Sequence, residues 1–144
     1  MSRKAPVDLR GLHILIVDDD ADARDLLETL LDYCGARVTP APSARAALAW
    51  LDEGQPDLII SDLGMPGEDG FWFIRQLRGR SSPVSAVPAV ALTGFDGLKS
   101  KAEAAGFNIY LVKPFDSAAL AQALQRLGLI VAEPATFGKY RRVA

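Results

Sequence analysis

Residues 12–20 read LHILIVDDD. Five of the first six are apolar, without polar alternation, the pattern of a short strand covered on both faces. The run then stops on three consecutive aspartates. Ala23, Leu26, Leu27, Leu30, Leu31 and Cys34 follow at three- and four-residue spacing, which predicts the apolar face of a helix. Gly35 ends that helix in the usual place for a left-handed cap. A buried strand followed by an amphipathic helix makes one unit, and that alternation of strand and helix continues along the chain. Residues 36–39 are a short strand, and Ser43 is a suitable N-cap for a helix running through Trp50 and Leu51 to Gly54. Residues 57–61 (DLIIS) are a third strand, followed by the loop LGMPGEDG and a helix over about 71–77. Residues 87–92 give a fourth strand, the turn TGFDG and a helix near 98–105. Residues 108–112 give a fifth strand ending at Lys113-Pro114, before a helix over about 116–127 that buries Ala119, Leu120, Ala123, Leu124 and Leu127. Five strands alternating with five helices predict an α/β fold, a doubly wound parallel sheet with helices on both faces, because each right-handed crossover needs a helix.

The remaining arithmetic excludes several classes. A chain of 144 residues, 49% hydrophobic and 24% charged, is the size of one compact domain. We expect a lead-in over 1–10, a globular domain over 11–128, and a tail over 129–144 that contains Pro134 and Gly138 and closes on Lys139, Arg141 and Arg142. The 16 Lys and Arg against 18 Asp and Glu leave a net charge of −2, without the basic surplus of a nucleic-acid binder. Cys34 and His13 are the only residues of their kinds, so no zinc-type cluster exists. No apolar run approaches the ~20 residues of a membrane span, and the N-terminus lacks a signal-peptide core. The expectation is a soluble, cytoplasmic domain without membrane insertion.

In a doubly wound sheet, ligands sit beyond the carboxyl ends of the strands. Those ends carry Asp18-Asp19-Asp20, Asp62, Thr93 and Lys113. Asp18, Asp19 and Asp62 would repel one another unless a cation neutralised them, and a hard divalent ion such as Mg²⁺ suits oxygen ligands. Helix capping competes for the aspartate triplet, with Asp20 the best placed to cap. Lys113 can pair with a carboxylate or bind a phosphate as a point charge, and its bond to Pro114 can be cis. Thr93 offers a hydroxyl to a phosphoryl oxygen, or simply suits a strand end.

Four segments, ILIVDDDADARDLL, PDLIISDLGMPGEDG, AVALTG and AAGFNIYLVKPFD, stand in this order at ordinary spacing. Together they resemble the receiver domain of two-component response regulators, the CheY-like superfamily, over roughly residues 12–127. The resemblance implies a flavodoxin-like (βα)5 fold with strand order 2-1-3-4-5. It implies that Asp62 accepts a phosphoryl group and that Mg²⁺ (or Mn²⁺) is held by Asp18, Asp19, Asp62 and the backbone carbonyl of Gly64. It further implies that Lys113 and Thr93 contact the phosphoryl group and that Thr93 and Tyr110 form the switch. The implied donor is a sensor histidine kinase or a histidine phosphotransfer protein, touching Arg24, Leu27, Pro114 and Phe115. The implied output is a downstream protein bound on the face of the fourth helix, fifth strand and fifth helix, without direct DNA binding. Such a domain can stand alone or belong to a hybrid kinase, and slowly loses its phosphoryl group.

Two other classes compete. A phosphohydrolase working through an aspartyl phosphate would need a second aspartate two residues past Asp62, where Gly64 stands. A receiver-like module that binds partners without phosphorylation would not need the full polar set. No G-x-G-x-x-G follows the first strand, which argues against a dinucleotide fold.

Overall fold

The computed structural model describes residues 7–132 and 140–143. Their strands are β1 (Val7–Asp8), β2 (His13–Val17), β3 (Arg37–Ala41), β4 (Leu58–Asp62), β5 (Ala89–Thr93), β6 (Ile109–Val112), β7 (Ile130–Ala132) and β8 (Tyr140–Arg142). Their helices are α1 (Ala21–Tyr33), α2 (Ala44–Leu51), α3 (Gly70–Arg78), α4 (Lys99–Ala105) and α5 (Ser117–Arg126). The central sheet is all parallel, with strands in the order β3-β2-β4-β5-β6. Counted within that sheet alone, this is the 2-1-3-4-5 order of a flavodoxin-like fold.

The continuous apolar runs are explained by cover on both faces. Ile14, Ile16, Leu58, Ile60, Val90 and Leu92 pack with Leu27, Leu31, Leu120 and Leu124 of α1 and α5. Their neighbours in sequence, Leu15, Val17, Ile59, Ala89 and Ala91, pack on the other side with Ala47, Leu51, Phe73, Ile74 and Leu77 of α2 and α3. Alternate residues of a strand point to opposite faces, so a strand buried twice cannot alternate with polar residues.

Four of the five helix starts among the described residues are set by carboxylates and one serine; α4, with Leu98 at its cap, has no side-chain cap. Asp20 accepts from the Asp22 and Ala23 amides, Ser43 from Ala46, Asp69 from Trp72 and Asp116 from Ala119. Each satisfies an amide that the helix itself leaves unpaired. Gly35 has φ 97°, the left-handed conformation expected after α1. The apolar face of α1 is narrower than its spacing suggests: Leu27, Leu31 and Cys34 are buried, whereas Leu26 is 74% exposed. Leu26 lies at the edge of the stripe, rotated away from Leu31, and projects into solvent.

The flanking segments are tied together. β1 pairs in parallel with β8, and β8 pairs antiparallel with β7, giving a separate three-stranded sheet in the order β1-β8-β7. Val7, Leu9 and Ile130 are buried with Leu12, Leu31, Cys34 and Leu124. Arg141 and Arg142 are exposed on β8, while Pro134, Gly138 and Lys139 lie outside the described residues. No helix among the described residues is long and apolar enough to cross a membrane.

Candidate functional site

Ladder register brings the polar strand ends together. Val17 is level with Ser61, Asp62 with Leu92, and Thr93 with Val112, so the next residues along β2 and β6 are Asp18 and Lys113. Asp18 is only 4% exposed and Thr93 3%. The Lys113 ammonium reaches between two strands, 3.3 Å from Asp18 Oδ2 and 3.8 Å from Asp62 Oδ1. The Lys113 amide donates to the Thr93 carbonyl at 2.7 Å, which anchors the end of β6, and the Lys113–Pro114 peptide is cis.

Asp18, Asp19 and Asp62 each offer a carboxylate oxygen, and these lie within 4.8 Å of one another. Burial pushes the Asp62 carboxyl above its usual range; Lys113 pulls it down, and Asp18 pushes it further up. One lysine against three carboxylates leaves local negative charge, which is what a cation site requires. Mg²⁺ takes oxygen ligands at about 2.0–2.1 Å in an octahedron, so opposite ligands stand about 4 Å apart. The residues present fit such an ion in donor type, and side-chain movements of under about 1 Å bring their spread to that of its ligand shell. Asp20 is separate: its carboxylate caps α1, and its amide donates to Asp18 Oδ1 at 3.0 Å.

The loop from Leu63 to Asp69 completes the rim. The Gly64 amide approaches Asp62 Oδ1 at 3.4 Å, and nothing lies within 4 Å of the place a Gly64 Cβ would take. The loop is held by buried Met65, by the Gly70 amide donating to the Leu63 carbonyl at 3.0 Å, and by Glu68, which accepts from Arg45 at 2.8 Å. Gly70 is there because α3 starts against the end of β4: a Cβ would lie 2.4 Å from the Asp62 carbonyl oxygen and 2.8 Å from Leu63 Cα.

On the opposite flank, the Thr93 hydroxyl accepts from the Phe95 amide at 3.1 Å. The half-buried Tyr110 hydroxyl donates to the Phe95 carbonyl and accepts from the Leu98 amide at 3.3 Å. Thr93 and Tyr110 therefore engage the same loop between β5 and α4, one on each side of Phe95.

The four residues expected to touch a partner divide. Pro114 is exposed and Phe115 partly buried, both in the β6–α5 loop beside the cluster. Leu27 is 8% exposed and belongs to the core, so it presents nothing to a partner; its neighbour Leu26 faces solvent instead. Arg24 is half-buried and turned inward, its Nη1 donating to the Asp18 carbonyl at 2.8 Å. Reading the sequence missed this tether and the role of Gly70. It also missed Arg78, which donates to the carbonyls of Gly106, Ser85 and Val87 and to Asn108 Oδ1, fastening α3 to the segments that lead into β5 and β6. For Gly70 a signal existed, since glycine at the first position after a capping aspartate is a poor helix former that something must require.

An acidic cluster of buried Asp18, half-buried Asp62 and exposed Asp19, with a strand-end lysine and threonine on the carboxyl edge of a 2-1-3-4-5 sheet, is the arrangement of a phosphoryl-transfer signalling fold. The family model for the response regulator receiver domain matches residues 14–125, and the chain belongs to that family, the receiver domains of two-component response regulators. It is 41% identical over 120 residues to the virulence transcriptional regulatory protein PhoP of Salmonella typhimurium, a match that covers 80% of this chain and 52% of PhoP. The chain thus spans about half the length of that relative. The chemotaxis response regulator CheY4 of Vibrio cholerae superposes with a TM-score of 0.73 at 34% identity, covering 81% of this chain and 98% of CheY4. The receiver domain of the Pseudomonas aeruginosa sensor histidine kinase PA1611, solved with a magnesium ion in its active-site cleft, has a TM-score of 0.73 at 33% identity, covering 81% of this chain and 96% of that one. Receiver folds of this kind belong to signalling proteins rather than metabolic enzymes.

Proposed function

We propose that Asp62 accepts a phosphoryl group from the phosphohistidine of a sensor histidine kinase or phosphotransfer protein in the cytoplasm. The observation that carries this is the Lys113 ammonium set between Asp18 and Asp62 in a three-carboxylate cluster at the sheet edge. An Asp62 carboxylate oxygen attacks phosphorus, the P–N bond breaks, and the imidazole leaves with its electron pair and takes up a proton. The product is an acyl phosphate, which water later hydrolyses to restore the carboxylate.

Such an attack brings like charges together, so catalysis here is neutralisation and positioning. Lys113 supplies one positive charge and Thr93 one hydroxyl. Asp18, Asp19, Asp62 and the Gly64 carbonyl would hold Mg²⁺ (or Mn²⁺), which when bound screens the carboxylates and the incoming phosphoryl oxygens. The PA1611 receiver, with magnesium in its cleft, supports this assignment.

The output follows from the shared loop. A Thr93 hydroxyl drawn to a phosphoryl group gives up the Phe95 amide. The loop and Tyr110 then rearrange together, changing the α4–β6–α5 face that meets a downstream protein. The kinase or phosphotransfer partner docks around exposed Leu26, with Pro114 and Phe115 across the cluster. DNA is not contacted directly.

The test is incubation with acetyl phosphate and Mg²⁺, read by intact mass. A gain of one phosphoryl group that needs Mg²⁺ and vanishes in Asp62→Asn is expected. A gain that persists in Asp62→Asn overturns the assignment, and steady turnover of phosphate esters indicates a phosphohydrolase instead.

A further inference from the structure

We infer that Arg24 is a positioning residue of the metal site, fixing the peptide that aims Asp19; the inference rests on the metal reading above. Arg24 lies one turn into α1, where its amide donates to the Asp20 carbonyl at 2.9 Å. Its guanidinium folds back to the Asp18 carbonyl at 2.8 Å. That oxygen belongs to the peptide joining Asp18 to Asp19. A peptide is planar, so holding its oxygen also fixes the direction in which Asp19 departs.

Asp18 needs little more support. Its amide donates to the Ala41 carbonyl at 3.1 Å, and its carboxylate accepts from the Asp20 amide and Lys113. Asp19 is different. It is exposed, and among the described residues its carboxylate accepts no hydrogen bond, so only the backbone aims it. The Asp18 carboxylate holds the peptide after Asp19 through the Asp20 amide, and Arg24 is the one side chain among the described residues that grips the carbonyl of the peptide before it.

Positioning and plain electrostatics predict opposite signs here. A guanidinium on the Asp18 carbonyl puts a positive charge next to the proposed cation site and repels a dication, so if Arg24 contributed charge alone, removing it would tighten Mg²⁺ binding. If it positions Asp19, removing it loosens a ligand and weakens binding. Groups that orient metal ligands typically contribute 10–100-fold in affinity, and for an oxygen site with one tether we expect about tenfold.

The experiment is calorimetric titration of Mg²⁺ into the unphosphorylated protein and its Arg24→Ala and Arg24→Lys variants, alongside their metal-free thermal midpoints. Arg24→Ala should bind Mg²⁺ about tenfold more weakly. Arg24→Lys, which keeps the charge and can donate to the same carbonyl from a more flexible stem without the planar fork, should recover part of that loss. In labelling by acetyl phosphate, the Mg²⁺ concentration at half-maximal rate should rise in Arg24→Ala while the rate at saturating Mg²⁺ holds. Unchanged or tighter binding in Arg24→Ala overturns the inference. If Arg24→Ala fails to fold, Arg24→Lys decides: binding equal to or tighter than the parent overturns it, and weaker binding in a folded variant supports it. An unmodified protein that binds no Mg²⁺ overturns the metal reading itself, and the inference with it.

Discussion

Replacing Gly70 by alanine adds one methyl group where β4 ends and α3 begins. The added Cβ would sit 2.4 Å from the Asp62 carbonyl oxygen, 2.8 Å from Leu63 Cα and 3.0 Å from Leu63 Cδ2. The backbone φ at Gly70 is not positive, so alanine meets no conformational penalty and the cost is steric. Two of the three contacts are backbone atoms, which no rotamer change relieves. Moving the closest pair from 2.4 to 3.0 Å demands a displacement of about 0.6 Å at the residue that carries the acceptor carboxylate. Overpacking of this kind costs about 1–3 kcal/mol. Alanine's better helix propensity returns at most about 1 kcal/mol, and less at a helix's first residue. The net loss is about 1–2 kcal/mol, a drop of roughly 3–7 °C at ~2.1 cal/mol/K per residue. Labelling by acetyl phosphate should fall at least about tenfold, because in-line attack tolerates little misplacement. Gly64→Ala and Gly94→Ala are the controls: nothing lies within 4 Å of either Cβ position, and neither φ is positive. Each should stay within about 0.5 kcal/mol of the parent. The assay is thermal melting beside phosphorylation rate at saturating Mg²⁺. A Gly70→Ala protein as stable and as fast as the controls refutes the steric argument.

Three further outcomes follow. Leu27→Ala should cost about 2–4 kcal/mol in chemical denaturation, whereas Leu26→Ala stays within about 0.5 kcal/mol and lowers transfer from a phosphohistidine donor; the reverse pattern refutes the assignment of faces. Because burial holds the Asp62 carboxyl above its usual range, the fold retains a proton that the unfolded chain has already lost, and stability falls as pH rises past the ordinary carboxylate range. Asp62→Asn should therefore melt higher than the parent in metal-free buffer at pH 8, with the advantage shrinking toward pH 4; a lower melting point at pH 8 contradicts this sign. Asp20→Ala should cost about 1 kcal/mol through the lost cap while leaving Mg²⁺ affinity within about twofold, and a much larger loss of affinity would make Asp20 a ligand.

Much of this was legible from the residues. Runs such as LHILIV and DLIIS announce strands buried twice, and whatever polar residue follows such a strand in a parallel sheet is delivered to one edge. That is why the sequence alone groups Asp18, Asp62, Thr93 and Lys113. Strand order was not visible in periodicity; it came with the resemblance. β1, β7 and β8 were missed because two- and three-residue strands leave no period to read. The orientation of Leu26 was hidden because helical spacing defines a stripe without saying where its edge falls against neighbouring strands. The targets of Arg24 and Arg78 were invisible for another reason. A guanidinium that binds backbone carbonyls has partners carrying no side-chain signature.

The pairing of β1 with β8 joins segments separated by almost the entire chain. Among the described residues this pairing closes the longest loop, at the largest entropic cost, and two β1–β8 register pairs, the pairing of β8 with β7 and the burial of Val7 offset it. These strands should thus zip last during folding and fray first in the native state, as a cooperative unit weaker than the central sheet. Native-state hydrogen exchange would show it: the β8 amides should exchange through local opening, well before those of Ile14 to Val17, which wait for global unfolding.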